Sequence, residues 1–228
     1  MILFRPKFLI YILTIIPMIT LPLTYTIVED QKNDIQYTIP YISNTINFPP
    51  ESSIGTFGLT LTGVMGIMIV FIRYCDIYLK IGERSKINLC LLIIGIISFL
   101  GLVGLSSFQI RSIEVVHIIF SYIFFACGVL YMCIMSLFEG KVFTGMKIRC
   151  LRRCLSVMVL VSSLTYLVPS FYKTNLSMSI SALGEICTAL FILCFLVSYY
   201  NEFRDSVIKI VYMDLSTEEN SPLVNVIL

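Results

Sequence analysis

Six long apolar runs constrain the fold of this chain more than any other feature. Each is long enough to cross the roughly 30 Å hydrocarbon core of a bilayer, which takes about 20 helical residues. Of the 228 residues, 57% are hydrophobic and only 13% are charged, whereas an average soluble domain is about 25% charged. We therefore predict an all-α integral membrane protein. Its six spans are expected near Phe8–Val28, Ile54–Ile72, Ile87–Ser106, Val115–Phe138, Leu155–Phe171 and Ile180–Tyr199.

The arrangement of these runs argues against other fold classes. They are continuous rather than alternating in polarity, which disfavours a membrane β-barrel. No linker separates two cores, so we predict one six-helix bundle over residues 1–205 and a disordered tail over residues 206–228. The formal net charge of +2 is too small to indicate nucleic-acid binding, and we expect none.

Basic residues predict the orientation of the bundle, because loops rich in Lys and Arg stay in the cytosol. Only Lys32, Arg111 and Lys173 fall on one side of the predicted spans. All the others fall on the side of the two termini, which we therefore expect in the cytosol. The first loop, about residues 29–53, then faces the lumen or the cell exterior. The basic residues on the side of the termini are Arg5, Lys7, Arg73, Lys80, Arg84, Lys86, Lys141, Lys147, Arg149, Arg152, Arg153, Arg204 and Lys209.

Two polar residues inside the predicted spans are candidates for function. His117, the only histidine, begins the fourth helix, and Glu185 lies early in the sixth. Ionisable residues within a membrane are costly and are often functional. The two lie near the same end of the bundle, so we predict a pair in a polar lumenal cavity, sensitive to acid because histidine titrates near pH 6.5. The alternative is two interhelical hydrogen bonds that only hold the bundle together.

Small residues recur along the second and third helices and predict close helix packing. The second helix carries Gly58, Thr62 and Gly66 at every fourth position. Packing within one chain is the favoured interpretation, and dimerisation stays open. The small residues of the third helix are Gly95, Ser98, Gly101 and Gly104.

The cysteines indicate membrane anchoring rather than metal binding. None of the eight falls in a predicted lumenal loop, so we expect no lumenal disulfide. Cys75, Cys150 and Cys154 lie at the cytosolic boundary beside basic residues, where palmitoylation is common. Ordinary boundary cysteines are the alternative. Since the chain also lacks a hydrolase or phosphate-binding motif, we expect no enzyme, cofactor or metal centre.

Several stretches carry a resemblance to a known family. PYISNTINFPPESSIGTFG, at residues 40–58, leads into the second helix, and FIRY ends that helix. NLCLLIIGIISFLGLVGLSSFQ covers the third helix, VVHIIFSYIFFACGVLYM the fourth, and SALGEICTALF part of the sixth. Over roughly residues 8–205 the chain resembles the damage-regulated autophagy modulator (DRAM) family. That family belongs to a wider Frag/DRAM/Sfk group related to the Cwh-type N-terminal domain.

The resemblance implies signature positions rather than catalytic ones, since the family has no established catalytic residues. Phe108 and Gln109 match the loop after the third helix. His117 and Glu185 match polar positions of the fourth and sixth helices. The residues that match the first-loop signature are Pro40, Ser43, Thr45, Pro49, Pro50 and Glu51.

The resemblance also implies a function. DRAM-like members are lysosomal or endosomal membrane proteins that promote autophagy and influence cell death, and this is the leading hypothesis here. A first alternative is an Sfk-like protein of the plasma membrane that organises a phosphoinositide kinase or membrane lipids. A second is a small transporter or channel that uses His117 and Glu185.

The C-terminal segment carries a short motif of its own. Tyr212-Met213-Asp214-Leu215 has the form Y-x-x-Φ, which a trafficking adaptor can bind as an extended strand with two anchoring side chains. We expect this motif to act as a sorting signal. The alternative is a disordered tail that no adaptor binds. The other expected partners are membrane lipids, and the oligomeric state stays open.

Overall fold

The structure, a computed structural model, describes residues 2–30, 39–81, 85–141, 145–172 and 174–210. It confirms the predicted class: within these residues, six helices are long and apolar enough to cross a membrane. In chain order the elements are β1 (Ile2–Phe4), α1 (Lys7–Asp30), a 3₁₀ helix (Ile42–Ile46), α2 (Glu51–Ile81), α3 (Lys86–Ser107), α4 (Glu114–Phe138), a second 3₁₀ helix (Glu139–Lys141), α5 (Met146–Ser170), α6 (Asn175–Val197), α7 (Tyr200–Phe203) and β2 (Ile208–Ile210).

Two helices run well past the predicted spans. α2 continues to Ile81, and α5 begins at Met146. The predicted spans ended where charged residues begin, but charged residues are good helix formers. On the last turns of α2, Asp76 pairs with Arg73 at 2.7 Å and with Lys80 at 2.9 Å. These pairs at spacings of three and four residues support the helix beyond its apolar part.

The bundle follows the order of the chain. Each long helix packs mainly on the one before it and the one after it. The ring closes where α1 meets α6, and this contact is much smaller than that between α1 and α2. The seam between α1 and α6 is therefore the least tightly packed part of the ring.

Small residues allow α3 to pack closely on α4, and α6 on α5. The sequence predicted such close packing from its small residues. A Cβ added at Gly101 of α3 would lie 2.6 Å from the backbone nitrogen of Phe124 on α4. At Gly184 of α6, a Cβ would meet the backbone of Tyr166 on α5. Ser98 uses the same proximity to donate a hydrogen bond of 2.8 Å to the carbonyl of Phe124. These contacts lie within one chain.

A two-stranded antiparallel sheet joins the two ends of the described chain. Leu3 of β1 pairs with Lys209 of β2, so both ends lie at one end of the bundle, which we call the terminal face. The opposite end, which carries the first 3₁₀ helix, is the loop face. Residues 208–210 thus form a strand at the start of the predicted tail, and the disorder of the tail stays a prediction. That the terminal face is cytosolic stays a prediction.

Candidate functional site

The described part of the first loop, from residue 39 onward, folds into the loop face of the bundle. We call residues 39–48 the loop plug. Its 3₁₀ helix buries Ser43, Thr45 and Ile46, and Ile46 packs so closely on α2 that a Cβ at Gly55 would collide with it. The plug is therefore part of the packed interior rather than an excursion over the surface.

Hydrogen bonds attach the loop plug to α1 and α6. The backbone N–H of Ile42 donates to Oε2 of Glu185 at 2.8 Å. The hydroxyls of Thr45 and Thr24 lie 3.4 Å apart, and the Tyr41 hydroxyl donates to Sδ of Met178 at 3.6 Å. The plug thus spans the seam between the first and last long helices.

The signature residues of the first loop occupy two environments. Pro40 is buried with Ser43 and Thr45, whereas Pro49 and Pro50 are exposed just before α2. Glu51 is buried in the first turn of α2, where an acid suits the positive end of the helix dipole. Most of the signature therefore builds the plug and the start of α2.

The predicted pair of His117 and Glu185 does not form. Nδ1 of His117 lies 2.6 Å from the carbonyl oxygen of Phe108, and Glu185 holds the loop plug. Neither a hydrogen bond nor an ion pair joins the two side chains, both of which belong to the described residues. The reason is local: the carbonyls at the end of α3 lack helical partners, and His117 stabilises that end.

A cavity of about 460 Å³ lies beneath the plug, between α1 and α6. It extends from Thr26 and Ser43 at the loop face to Leu13 and Leu196 deeper in the bundle. Glu185 lines its upper part. Apart from this carboxyl and a few hydroxyls, the described lining is apolar. Other lining residues are Pro17, Met18, Pro22, Phe99, Phe124, Phe125, Ala189, Leu190 and Ile192.

A second polar feature lies toward the terminal face. We call Arg73, Asp76, Glu139, Arg152 and Glu202 the ion cluster. The side chains of Arg73 and Arg152 are fully buried, with 0% exposure. Nη1 of Arg152 donates to Oε1 of Glu139, and its Nη2 donates to Oε2 of Glu202 at 2.8 Å. Nη2 of Arg73 lies 3.6 Å from Glu139 and 3.7 Å from Glu202.

Aromatic rings complete the surroundings of the ion cluster. The guanidinium carbons of Arg152 and Arg73 lie 4.5 and 5.0 Å from the centre of the Tyr199 ring, within cation–π range. The Tyr199 hydroxyl lies 2.9 Å from that of Tyr131. Burial raises the pKa of the Glu139 carboxyl, while the nearby Arg152 guanidinium opposes that shift. The cluster links α2, α5 and α7 to the end of α4.

Sequence reasoning missed this cluster. It treated Arg73 and Arg152 as loop residues that set orientation, whereas they are interior residues of α2 and α5. One feature of the sequence could have indicated the cluster. Glu139 and Glu202 each lie just beyond an apolar run, in segments whose other charged residues are mostly basic.

The remaining predicted positions are the candidate palmitoylation cysteines and the candidate sorting motif. Cys150 and Cys154 are exposed on α5, and Cys75 is half-buried on α2; all three are free thiols. Tyr212 and Leu215 lie outside the described residues. Within the described ranges, no group of three or more His, Cys, Asp or Glu side chains is placed to hold a metal ion.

Comparison with known proteins identifies the family of this chain. Residues 6–206 match the family model described as Frag1/DRAM/Sfk1/Cwh43P N-terminal domain. Since that is most of the chain, the protein belongs to this family of multi-pass membrane proteins. No solved structure matches it.

The individual relatives carry two different kinds of name. The chain is 31% identical to DNA damage-regulated autophagy modulator protein 2 of Rattus norvegicus over 102 residues, 43% of this chain and 38% of that one. It is 30% identical to protein 1 of the same name from Mus musculus over 112 residues, 45% of each chain. With Transmembrane protein 150A of Xenopus laevis it shares 26% identity over 161 residues, 71% of this chain and 59% of that one. The matches thus span about two to three fifths of the relatives' lengths.

Proposed function

We propose that this protein is a non-enzymatic regulator of autophagy in the membrane of lysosomes or endosomes. The observation that carries the proposal is the family match over residues 6–206, together with relatives named as autophagy modulators. The fold supports it in a general way, because a six-helix bundle with long apolar helices resides in a membrane.

The interior of the bundle supports a role other than catalysis. The polar groups described here act on the protein itself: Glu185 holds the loop plug, His117 holds the end of α3, and the ion cluster joins four segments. A transporter or channel loses its main support, since the His117–Glu185 pair on which it rested does not form. The proposed partners are membrane lipids and a trafficking adaptor that binds Tyr212 and Leu215.

A second candidate function is an organiser of membrane lipids or of a phosphoinositide kinase at the plasma membrane. The observation that favours it is the broader alignment with Transmembrane protein 150A, over 71% of this chain compared with 43–45% for the autophagy modulators. Similarity to the family is therefore not confined to its autophagy branch.

The location of the protein distinguishes the two candidates. A fluorescent tag on the C-terminus would be followed in cells with markers of lysosomes, endosomes and the plasma membrane. We expect the wild type on lysosomes or endosomes and Tyr212→Ala displaced to the cell surface. Asn225→Ala, in the same tail, is the control and should behave as wild type. Wild-type protein at the surface would support the second candidate.

A further inference from the structure

Glu185 has a hydrogen-bonding atom that the protein leaves unused. Its side chain is only 6% exposed, and Oε2 accepts the N–H of Ile42. None of the hydrogen bonds found among the described residues involves its Oε1. Oε1 is not one of the fully buried unpartnered atoms, and Glu185 lines the cavity, so this oxygen is accessible from the cavity. A polar atom that borders an apolar cavity is unfavourable without a hydrogen bond. The arrangement therefore points to a ligand that supplies the missing hydrogen bond.

The rest of the cavity is suited to a hydrocarbon. Below Glu185 its described lining is apolar except for Thr62, whose hydroxyl donates to the carbonyl of Gly58 at 2.8 Å. Apolar cavities exclude water and take up apolar molecules. From Glu185 to Leu196 the helical rise is about 16 Å, at about 1.5 Å per residue. That depth is close to one leaflet of a hydrocarbon core roughly 30 Å thick. The volume of about 460 Å³ lies within the range of small-molecule sites, roughly 300–1,000 Å³.

The cavity opens sideways, toward the surface that faces lipid. Met18 of α1 and Leu190 of α6 both line it, and they are 57% and 40% exposed. These helices make the weakest contact in the ring. The loop plug covers the end of the cavity at the loop face. A ligand would therefore enter from the bilayer between α1 and α6.

The charge of the lining selects the kind of lipid. None of the described residues that line the cavity is basic, so a phosphate head group would meet a carboxyl without a compensating cation. A hydroxyl group both donates and accepts hydrogen bonds, so it can bond to Oε1 of Glu185 whether the carboxyl is ionised or not.

We propose that this cavity binds a neutral membrane lipid, inserted from one leaflet, whose hydroxyl group hydrogen-bonds to Glu185. A sterol and a diacylglycerol both have this chemistry, and the test below distinguishes them. The proposal goes beyond the proposed function and does not depend on it, since binding is measured on the purified protein without reference to autophagy or location.

The test is photolabelling of the full-length protein in phosphatidylcholine vesicles. Trace amounts of a photoreactive sterol, a photoreactive diacylglycerol or a photoreactive phosphatidylcholine are added to separate samples, and labelled peptides are identified by mass spectrometry. We expect the sterol probe or the diacylglycerol probe, each with a free hydroxyl, to label α1 or α6 at the cavity more strongly than the phosphatidylcholine probe, and the probe that does so identifies the lipid. Unlabelled lipid with a free hydroxyl should compete roughly tenfold better than its deoxy analogue, the size expected for one hydrogen bond to a buried carboxyl.

Matched variants test the position of the site. Ala189→Phe fills the cavity one turn from Glu185 without changing the carboxyl, and it should abolish labelling. Ala126→Phe makes the same change on the exposed face of α4, away from the cavity, and should leave labelling intact. In Glu185→Leu the preference for the hydroxyl over the deoxy lipid should disappear.

Three results would overturn the proposal. Equal labelling by the phosphatidylcholine probe would mean that the cavity only holds the chains of bulk lipid. Equal competition by hydroxyl and deoxy lipids in the wild type would remove the role of Glu185, and this comparison needs no variant to fold. Labelling that persists in a folded Ala189→Phe protein would place the lipid elsewhere.

Discussion

Arg152 of α5 donates a hydrogen bond from Nη2 to Oε2 of Glu202 at 2.8 Å, although the two residues are 50 positions apart in the chain. The same guanidinium donates to Glu139 and, through Nε, to the hydroxyl of Ser198 at 2.6 Å. One buried side chain therefore ties α5 to the end of α4 and to the segment after α6.

Loss of this guanidinium should destabilise the bundle. In Arg152→Met, Glu139 and Glu202 keep their burial but lose their main cation. We expect the free energy of unfolding to fall by about 3–5 kcal/mol, as for other buried pairs broken on one side. Arg153→Met removes the exposed neighbour on the same helix and should change it by about 0.5 kcal/mol or less. Unfolding of the purified variants in one detergent gives the comparison, and equal stability of the two would contradict the role of the cluster.

Neutralising Glu139 and Glu202 should recover part of the stability that Arg152→Met loses. The triple variant Arg152→Met, Glu139→Gln, Glu202→Gln replaces both acids with neutral side chains of similar size. Since the cost of Arg152→Met comes mainly from unpaired buried carboxylates, we expect the triple variant to be more stable than the single one by about 1–3 kcal/mol. The same unfolding measurement serves here. A triple variant less stable than Arg152→Met would show that the guanidinium acts through packing on Tyr199 instead.

The attachment of the loop plug depends on Glu185. Glu185→Leu leaves the Ile42 N–H without an acceptor at a cost of about 1–3 kcal/mol, so the plug should open more often. Glu185→Gln keeps an acceptor in the same place and should retain most of the protection. Hydrogen–deuterium exchange of residues 39–48 reports the opening directly, and we expect it to be about 5- to 150-fold faster in the Leu variant, as that cost implies. Unchanged exchange would mean that Tyr41 and Thr45 hold the plug without Glu185.

Close packing of α5 on α6 predicts a strong position effect for glycine. In Gly184→Ala the new methyl group meets the backbone of Tyr166, which cannot rotate away as a side chain can. We expect a loss of about 1–3 kcal/mol, typical of overpacking. Gly140→Ala is the control, because a Cβ there meets nothing within 4 Å. Similar melting temperatures for the two variants would argue against this helix contact.

The sequence predicted the six spans because each depends on a local property, the apolarity of about 20 consecutive residues. It also predicted close helix contacts from small residues such as Gly101, since only small side chains permit them. The predicted end of α2 and the predicted start of α5 were wrong. Apolarity locates only the part of a helix inside the hydrocarbon region, whereas α2 continues through Arg73 and α5 begins before Arg152.

The polar sites were harder to predict because they join distant parts of the chain. Equal depth in the membrane suggested that His117 would meet Glu185, but depth says nothing about which side of a helix a residue occupies in the ring. His117 contacts the carbonyl of Phe108, nine residues earlier in the chain, and Glu185 accepts a hydrogen bond from Ile42. Ile42 lies in a loop whose path no sequence pattern predicted. The ion cluster likewise needed the arrangement of four segments.

The proposed function is tested most directly by autophagic flux, measured as lysosomal turnover of an autophagosome-bound reporter with and without lysosomal inhibition. Cells that normally make this protein would be compared after its removal and after its return at native levels. We predict that removal changes flux and that the wild type restores it. Arg153→Met, which keeps the ion cluster, should restore flux as well, whereas Arg152→Met should not. Unchanged flux after complete removal of the protein would contradict a role in autophagy.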